Sequence, residues 1–286
     1  MSLLQLSLYK KTDKRKMRYL LLTFDIEEFD LPLEYNIKIN DKEKFEISFE
    51  GTKIILDLLN IAKIKATFFV TASFAKKYRE IIKKISENHE IALHAYTHRQ
   101  NYAQMSSKKA KYFLVKAKRI IEEITKKELV GFRAPRMQKP TYHVMRDIGI
   151  KYDSSLHPTY VPGRYNNLLK NRGSFFIENV LEVPISVIPL FRLPFSFLWF
   201  RNIGLGYAKI CTRLSLIGSD YVNIYFHPWE FVNLEKLKYS DRLPKLIIRN
   251  TGEILEKNIK KYIYWCKRNK IKVIRMKDYY KMSKKE

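Results

Sequence analysis

Short apolar runs alternate with longer amphipathic stretches along nearly the whole chain, and no other feature limits its fold as tightly. The runs at 18–24, 66–70, 90–94, 129–133, 151–154, 180–183, 221–226 and 272–275 have the length and composition of buried strands. Helical spacing falls between them, near 51–64, 74–87, 107–124, 141–148, 252–269 and 277–282. Gly51-Thr52 and Thr251-Gly252 read as helix starts, and Gly149 as a stop before the next strand. A strand that is followed by a helix and then a parallel strand must cross over each time, so repeated units of this kind build a parallel sheet. Seven or eight of them predict an α/β fold, a distorted (β/α) barrel with seven or eight parallel strands. No repeat, low-complexity tract or Pro/Gly/Ser linker divides the pattern, so residues 17–286 read as a single domain. Residues 1–16 read as a disordered extension.

Polar residues cluster where these strands end. Asp25 and Glu27 follow the first strand, His94 and His98 the third, and Arg133 ends the fourth; Asp153 closes the fifth and His227 follows the seventh. In a β/α barrel the C-terminal strand ends converge on one face, so residues some 200 positions apart can meet there.

Composition adds limits of its own. Lys and Arg number 55 against 29 Asp and Glu, a formal charge of +26. That excess suits a nucleic acid, an anionic membrane surface or an acidic polymer, but the lysines are spread over nearly every predicted helix and fit solvated helix faces equally well. Nucleic-acid binding rests on charge alone, with no recognised motif beside it. Cys211 and Cys266 form no Cys-x-x-Cys pair and read as reduced thiols. The N-terminus places its apolar residues before its cations, the reverse of a secretory signal, which predicts a cytoplasmic protein. The most apolar stretch, 181–206, is cut by Pro184, Pro189, Arg192, Pro194 and Arg201, well short of the roughly 20 residues a spanning helix needs. Its Phe191, Phe195, Phe197, Trp199 and Phe200 suit a buried loop, an active-site lid or a surface that touches membrane.

The segment 89–98 reads HEIALHAYTH. A helical zinc-protease motif needs histidine four residues after His89, and Leu93 stands there instead. His94 and His98 are the usable pair, close enough in sequence for both imidazoles to reach one ion. Asp25, Glu27, Glu28 and Asp30 crowd the end of the apolar first strand, where acids are costly unless they are engaged. With Glu27 as third ligand, the set becomes two histidines and a carboxylate with positions open for water and substrate, suiting Zn2+, Co2+ or Fe2+. Asp25, two residues earlier on the strand, points to the same face and is placed to take a proton from water.

TFDIE at 23–27, HAYTH at 94–98, RAP at 133–135, DSS at 153–155 and FHPWE at 226–230 stand in the order of the five motifs of the polysaccharide deacetylases, and ATFFV at 66–70 is also typical. The chain therefore resembles that family, carbohydrate esterase family 4 with its NodB homology domain, and within it the subgroup with an Asp-x-Glu first motif and a His-Pro-Trp-Glu last motif. The resemblance implies a NodB-like barrel that removes N-acetyl groups from an amino sugar of a glycan or glycan precursor. It makes Asp25 the catalytic base, Glu27, His94 and His98 the metal ligands, and His227 the acid that protonates the leaving amine. It has Arg133 orient Asp25, Asp153 hydrogen-bond His227, and the backbone N–H of Arg136 stabilise the oxyanion.

The chain also departs from the family pattern. Ala95 replaces a common Ser or Thr, Glu27 lengthens one ligand arm, and Arg136-Met137 replaces a common Tyr-Gly, adding a positive charge that suits an anionic or phosphate-bearing acceptor. Trp229 reads either as a sugar platform or as packing, with Arg136 as a second substrate contact. His89 is expected exposed, His143 on a helix, and His157 beside the cleft or packed away from it. Two other functions stay open on the sequence. One is a deformylase or deacylase of a lipid-linked sugar at the inner membrane face, for which the basic balance and the apolar 191–206 segment speak. The other is a non-catalytic carbohydrate-binding protein, against which the complete motifs speak.

Overall fold

The first strand sets the architecture through its two-residue alternation. A computed structural model describes residues 17–284, so the extension expected at 1–16 lies outside the described residues. In β1 (Arg18–Ile26), Leu20, Leu22, Phe24 and Ile26 face the helices, where they join the largest apolar cluster. Leu21 enters a separate apolar cluster at the base of the sheet's concave face, and Thr23 and Asp25 stand above it on that same face. A slip of one residue would exchange the two sets and bury the acids among the helices.

The sheet is a nine-stranded path in the order β10-β1-β2-β3-β4-β5-β9-β8, with β11 beside β1. Its members are β2 (Thr67–Thr71), β3 (Glu90–Ala95), β4 (Gly131–Phe132), β5 (Tyr152–Asp153), β8 (Phe175–Ile177), β9 (Val180–Glu182), β10 (Tyr221–Phe226) and β11 (Ile271–Ile274). All pairings are parallel except that of β8 with β9, which the left-handed pair Glu178 and Asn179 joins as a tight hairpin. The eight expected strands are all present, although β4 and β5 are two residues each. β8 and the small hairpin β6 (Tyr160–Val161) and β7 (Tyr165–Asn166) are additions.

No strand ladder closes the barrel between β9 and β10. Pro184, two residues past the end of β9, has no N–H to donate. The gap is bridged instead by Ser186 N–H to the Asn223 carbonyl (3.0 Å) and by the Asn223 amide donating to the carbonyls of Val183 (3.1 Å) and Pro184 (3.2 Å). The result is the distorted, curled barrel that the strand count predicts.

The helices differ from expectation in three places. α1 (Asp41–Ile61) starts ten residues before Gly51, behind Asn40, whose side chain caps the Glu43 amide. Gly51 is therefore interior to the helix, and a Cβ there would lie 1.8 Å from the Pro228 carbonyl oxygen. This glycine lets α1 press against the turn that follows β10. The helix expected at 74–87 is two, α2 (Ala72–Lys77) and α3 (Arg79–Asn88), separated at Tyr78, while α4 (Ser107–Thr125) and α5 (Tyr142–Asp147) fall where expected. The apolar 181–206 segment is not one loop. It contains α6 (Phe197–Ile203), and α7 (Leu205–Ser215) follows at once. α8 (Lys245–Ile248), α9 (Glu253–Arg268) and α10 (Met276–Ser283) complete the layer. Cys211 and Cys266 are free and buried in it. No helix among the described residues is long and apolar enough to cross a membrane.

Candidate metal centre and active site

The concave face becomes polar in steps toward the C-terminal ends of the strands. At its base Leu21, Tyr152, Leu181, Tyr221 and Ile274 form an apolar floor. Above it lies Arg133, fully buried, its guanidinium stacked 4.2 Å over the Phe69 ring. Burying that charge is tolerable because its donors are occupied. Nε donates to the Ser154 carbonyl (3.0 Å), Nη1 to Thr23 Oγ1 and Asp25 Oδ1 (both 2.8 Å), and Nη2 to Ser154 Oγ (2.9 Å). The predicted pairing of Arg133 with Asp25 is thus present in the geometry.

At the mouth, Glu27, His94 and His98 offer ligand atoms that all lie within 4.8 Å of one another. His94 Nε2 and His98 Nε2 each stand 3.1 Å from Glu27 Oε2. Two ligands on one ion, each at about 2.1 Å, sit roughly 3.4 Å apart, so this spacing suits a small divalent ion. The tautomers suit it as well. His94 Nδ1 donates to the Arg133 carbonyl and His98 Nδ1 to Asp30 Oδ1, both at 2.7 Å, which leaves both Nε2 lone pairs free. Glu28 fixes the histidine loop from behind, accepting from the His98 amide (3.2 Å) and from Ser73 and Thr71 hydroxyls.

The electrostatics follow from crowding. Burial pushes Glu27 up, but His98, His227 and His94 outweigh it and hold the carboxyl at about 2. Burial pushes His98 down, yet Glu27 and Asp30 raise it to about 9. This strong preference of His98 for positive charge is the preference a cation at the same point would meet.

His227 closes the opposite side, with Nε2 3.9 Å from Glu27 Oε1. Its expected partner, Asp153, is elsewhere. Ser154 faces the barrel interior toward Arg133, so Asp153, one residue earlier, faces the other side of the strand. There Asp153 takes Lys139 Nζ at 3.0 Å and the Ser155 hydroxyl at 2.5 Å, beside Glu182, which Lys139 and Tyr142 also contact. Burial and the neighbouring Asp153 raise the Glu182 carboxyl above the usual carboxylate range.

Glu230 holds His227 instead. The 3-10 turn Pro228–Phe231 brings its Oε1 to 2.8 Å from the His227 amide and 3.0 Å from Nδ1. Arg201, fully buried on α6, pairs with Glu230 Oε2 at 3.3 Å and donates from Nη2 to the Ile247 carbonyl at 2.6 Å. Burial pushes His227 down, but Glu27, Glu230 and Asp25 raise it overall. A carboxylate three residues after a His-Pro step is the spacing of a reciprocal helix cap, and that signal could have identified Glu230. Arg201 had no such signal, because its contact spans 29 residues and depends on packing.

The remaining expectations divide. Trp229 is 4% exposed, lines the cavity and stacks on His227 with centroids 4.8 Å apart at 17°, which buttresses the imidazole. The Arg136 guanidinium is not a spare charge, since Nε pairs with Glu34 (3.0 Å) and Nη2 with Asp30 (3.5 Å); its backbone is left-handed at φ 52°. His89 is half-buried, not exposed, and its Nδ1 accepts from the Ala66 amide at 3.3 Å; burial, with Lys65 and Arg275 nearby, lowers it to about 4. His143 does lie on a helix, and His157 lines the cavity with Nδ1 3.0 Å from the Tyr165 hydroxyl.

Asp25, Glu27, His94, His98 and His227 line a single cavity of about 710 Å3. Such a site lies on the C-terminal face of a curled parallel sheet, and its Glu27, His94 and His98 donor set could hold one divalent ion. The family model described as polysaccharide deacetylase matches residues 12–152. Over those residues the chain is similar to that family. It is 32% identical over 104 residues to a peptidoglycan-N-acetylglucosamine deacetylase of Bacillus cereus, an alignment covering 36% of this chain and 35% of that protein. To a peptidoglycan deacetylase of Helicobacter pylori it is 29% identical over 116 residues, 39% of each. The chain thus spans little more than a third of the length of these relatives. Among solved structures, a putative polysaccharide deacetylase from Mycobacterium smegmatis superposes with TM-score 0.63 at 17% identity, covering 94% of this chain and 91% of that one. An allantoinase superposes with TM-score 0.65 at 15% identity, covering 94% and 91%. These two likenesses establish the shared fold.

Proposed function

We propose that the protein is a metal-dependent hydrolase that removes N-acetyl groups from an amino sugar of a glycan or glycan precursor. The observation that carries this reading is the convergence at one mouth of a buried Asp25–Arg133 pair, the Glu27, His94 and His98 donor set, and His227 on the facing side. The relatives named as peptidoglycan deacetylases support a carbohydrate amide as the substrate. Glu27, His94 and His98 would hold the ion, with Zn2+ favoured by a donor set of two imidazoles and one carboxylate and Co2+ or Fe2+ also compatible. When bound, such an ion polarises the acyl carbonyl and lowers the pKa of a neighbouring water.

The protein's own groups then divide the proton work. Asp25, oriented by Arg133 Nη1, takes a proton from the attacking water. The Arg136 amide is proposed to donate to the developing oxyanion. His227 keeps its proton to higher pH because of Glu27 and Glu230, and gives it to the nitrogen as the C–N bond breaks, releasing acetate and free amine. The test is acetate release from N-acetylglucosamine oligomers, before and after chelation and after zinc is restored. Loss and recovery of release, with a product mass lower by one acetyl group per sugar, is expected; release that chelation leaves unchanged would contradict the reading.

A further inference from the structure

The polar centre, at the C-terminal ends of the strands, forms the bottom of a cavity whose outer rim is apolar, and that apolar surface continues onto the exterior. Tyr35, Tyr160, Leu168, Phe191, Leu193 and Trp199 line the mouth, and all six are exposed. Leu169 and Leu190 carry the surface outward at 99% and 86% exposure, and Ile203 does so one turn beyond Trp199 on the same face of α6. Aromatic rings alone would suit stacking on sugar. Leucine and isoleucine offer a sugar neither a ring face nor a hydrogen bond, and an exposed aliphatic rim around a site is the mark of contact with another apolar phase.

The rim is held in place by specific bonds. Residues 187–194 form a narrow turn, tied by the Ile188 amide to the Leu193 carbonyl (2.9 Å) and by Thr159 Oγ1 to the Arg192 carbonyl (2.6 Å). Leu190 (φ 69°) and Arg192 (φ 53°) are both left-handed, a conformation unfavourable for residues with a Cβ, and it thrusts Leu190 and Phe191 outward. α6 divides in the same sense. Phe197 and Arg201 point inward to His227 and Glu230, while Trp199 and Ile203 point away.

Charge indicates what meets this surface. From residue 183 to 219 the sequence has no Asp or Glu, and Lys170 adjoins Leu169 while Arg192 lies between Phe191 and Leu193. Arg192 lines the cavity, and its Nη1 is buried without a hydrogen-bond partner. Aliphatic side chains edged by cations complement an anionic lipid surface, with the apolar groups below the headgroups and the cations among the phosphates. We infer that the mouth docks on an anionic bilayer and that the amino sugar is presented from it, attached to a lipid, with Arg192 facing the linking phosphate. This inference rests on the deacetylase reading for its chemistry but not for its surface.

The experiment is flotation of the whole protein with phosphatidylcholine vesicles, with and without phosphatidylglycerol. Partition onto the phosphatidylglycerol vesicles, weakened by salt, is expected. The variant combining Leu169→Ser, Leu190→Ser and Ile203→Ser, none of which lines the cavity, should lower that partition by ~10-fold or more while zinc binding stays unchanged. Quenching of tryptophan emission by brominated lipid should vanish in Trp199→Phe. Absence of partition at low salt, equal partition of the triple variant, or a dimer that the triple variant abolishes would each overturn the docking surface. Acetate release from soluble oligomers is read in parallel, so loss of that activity with vesicle binding intact would count against the deacetylase reading alone.

Discussion

Glu230 holds His227 through a single oxygen, which accepts both the His227 amide (2.8 Å) and Nδ1 (3.0 Å). The same carboxylate that sets the backbone of the turn therefore also sets the imidazole, and Nε2 is left facing Glu27 and the cavity.

That arrangement makes Glu230→Gln a test of His227 as the acid. Loss of a negative charge at Nδ1 lowers the His227 pKa, and an acid must be protonated to act. The alkaline limb of kcat should move to lower pH, with kcat at the optimum reduced on the order of 10-fold to 100-fold. An unchanged limb in the pH profile would count against the role.

Arg201 and Glu230 form a buried ion pair, so removing one partner strands the other. Arg201→Met should cost about 3–5 kcal/mol in urea unfolding. The double variant Arg201→Met with Glu230→Gln should recover part of that loss, because no charge remains buried unpaired. A single-variant cost under about 1 kcal/mol would mean that solvent reaches the pair.

Asp30 fixes the tautomer of His98 from behind. Asp30→Ala should weaken zinc binding by about 10-fold to 100-fold in a competitive chelator titration, and kcat should return toward the parent value at saturating zinc. Equal affinity in the two proteins would show that Asp30 does not support the ligand.

His89 makes stability depend on pH away from the site. Its folded pKa, about 4, lies below the 6.5 of the free group. A depressed histidine contributes stability that is complete above 6.5 and is lost as pH falls toward 4, because the unfolded chain takes up the proton first. Between those pH values the parent Tm should fall ~2–4 °C further than that of His89→Gln, a modest difference because the ring is partly solvated. Parallel curves would contradict the assignment.

Much of this arrangement was legible in the sequence. Strands show as apolar runs, and the polar residues after them fall on one face because a parallel sheet places all its C-terminal ends together. Asp25 and Glu27 could be paired from two-residue alternation, and their ordered relation to His94, His98, Arg133 and His227 carried the family resemblance. Asp153 was misplaced by the same alternation, since Ser154 is the residue that faces Arg133. Arg201, Lys139 and Glu182 could not be read locally, because each has its partner across a tertiary contact. α6 was hidden among prolines and aromatics, yet it brings both Phe197 and Arg201 to the site.

The central claim is that Asp25 is the base beside a metal held by Glu27, His94 and His98. The most direct measurement is the rate of acetate release by Asp25→Asn relative to the parent protein, with zinc content confirmed equal in both. A fall on the order of 100-fold to 10,000-fold at full metal loading is predicted. A rate within ~10-fold of the parent would contradict it.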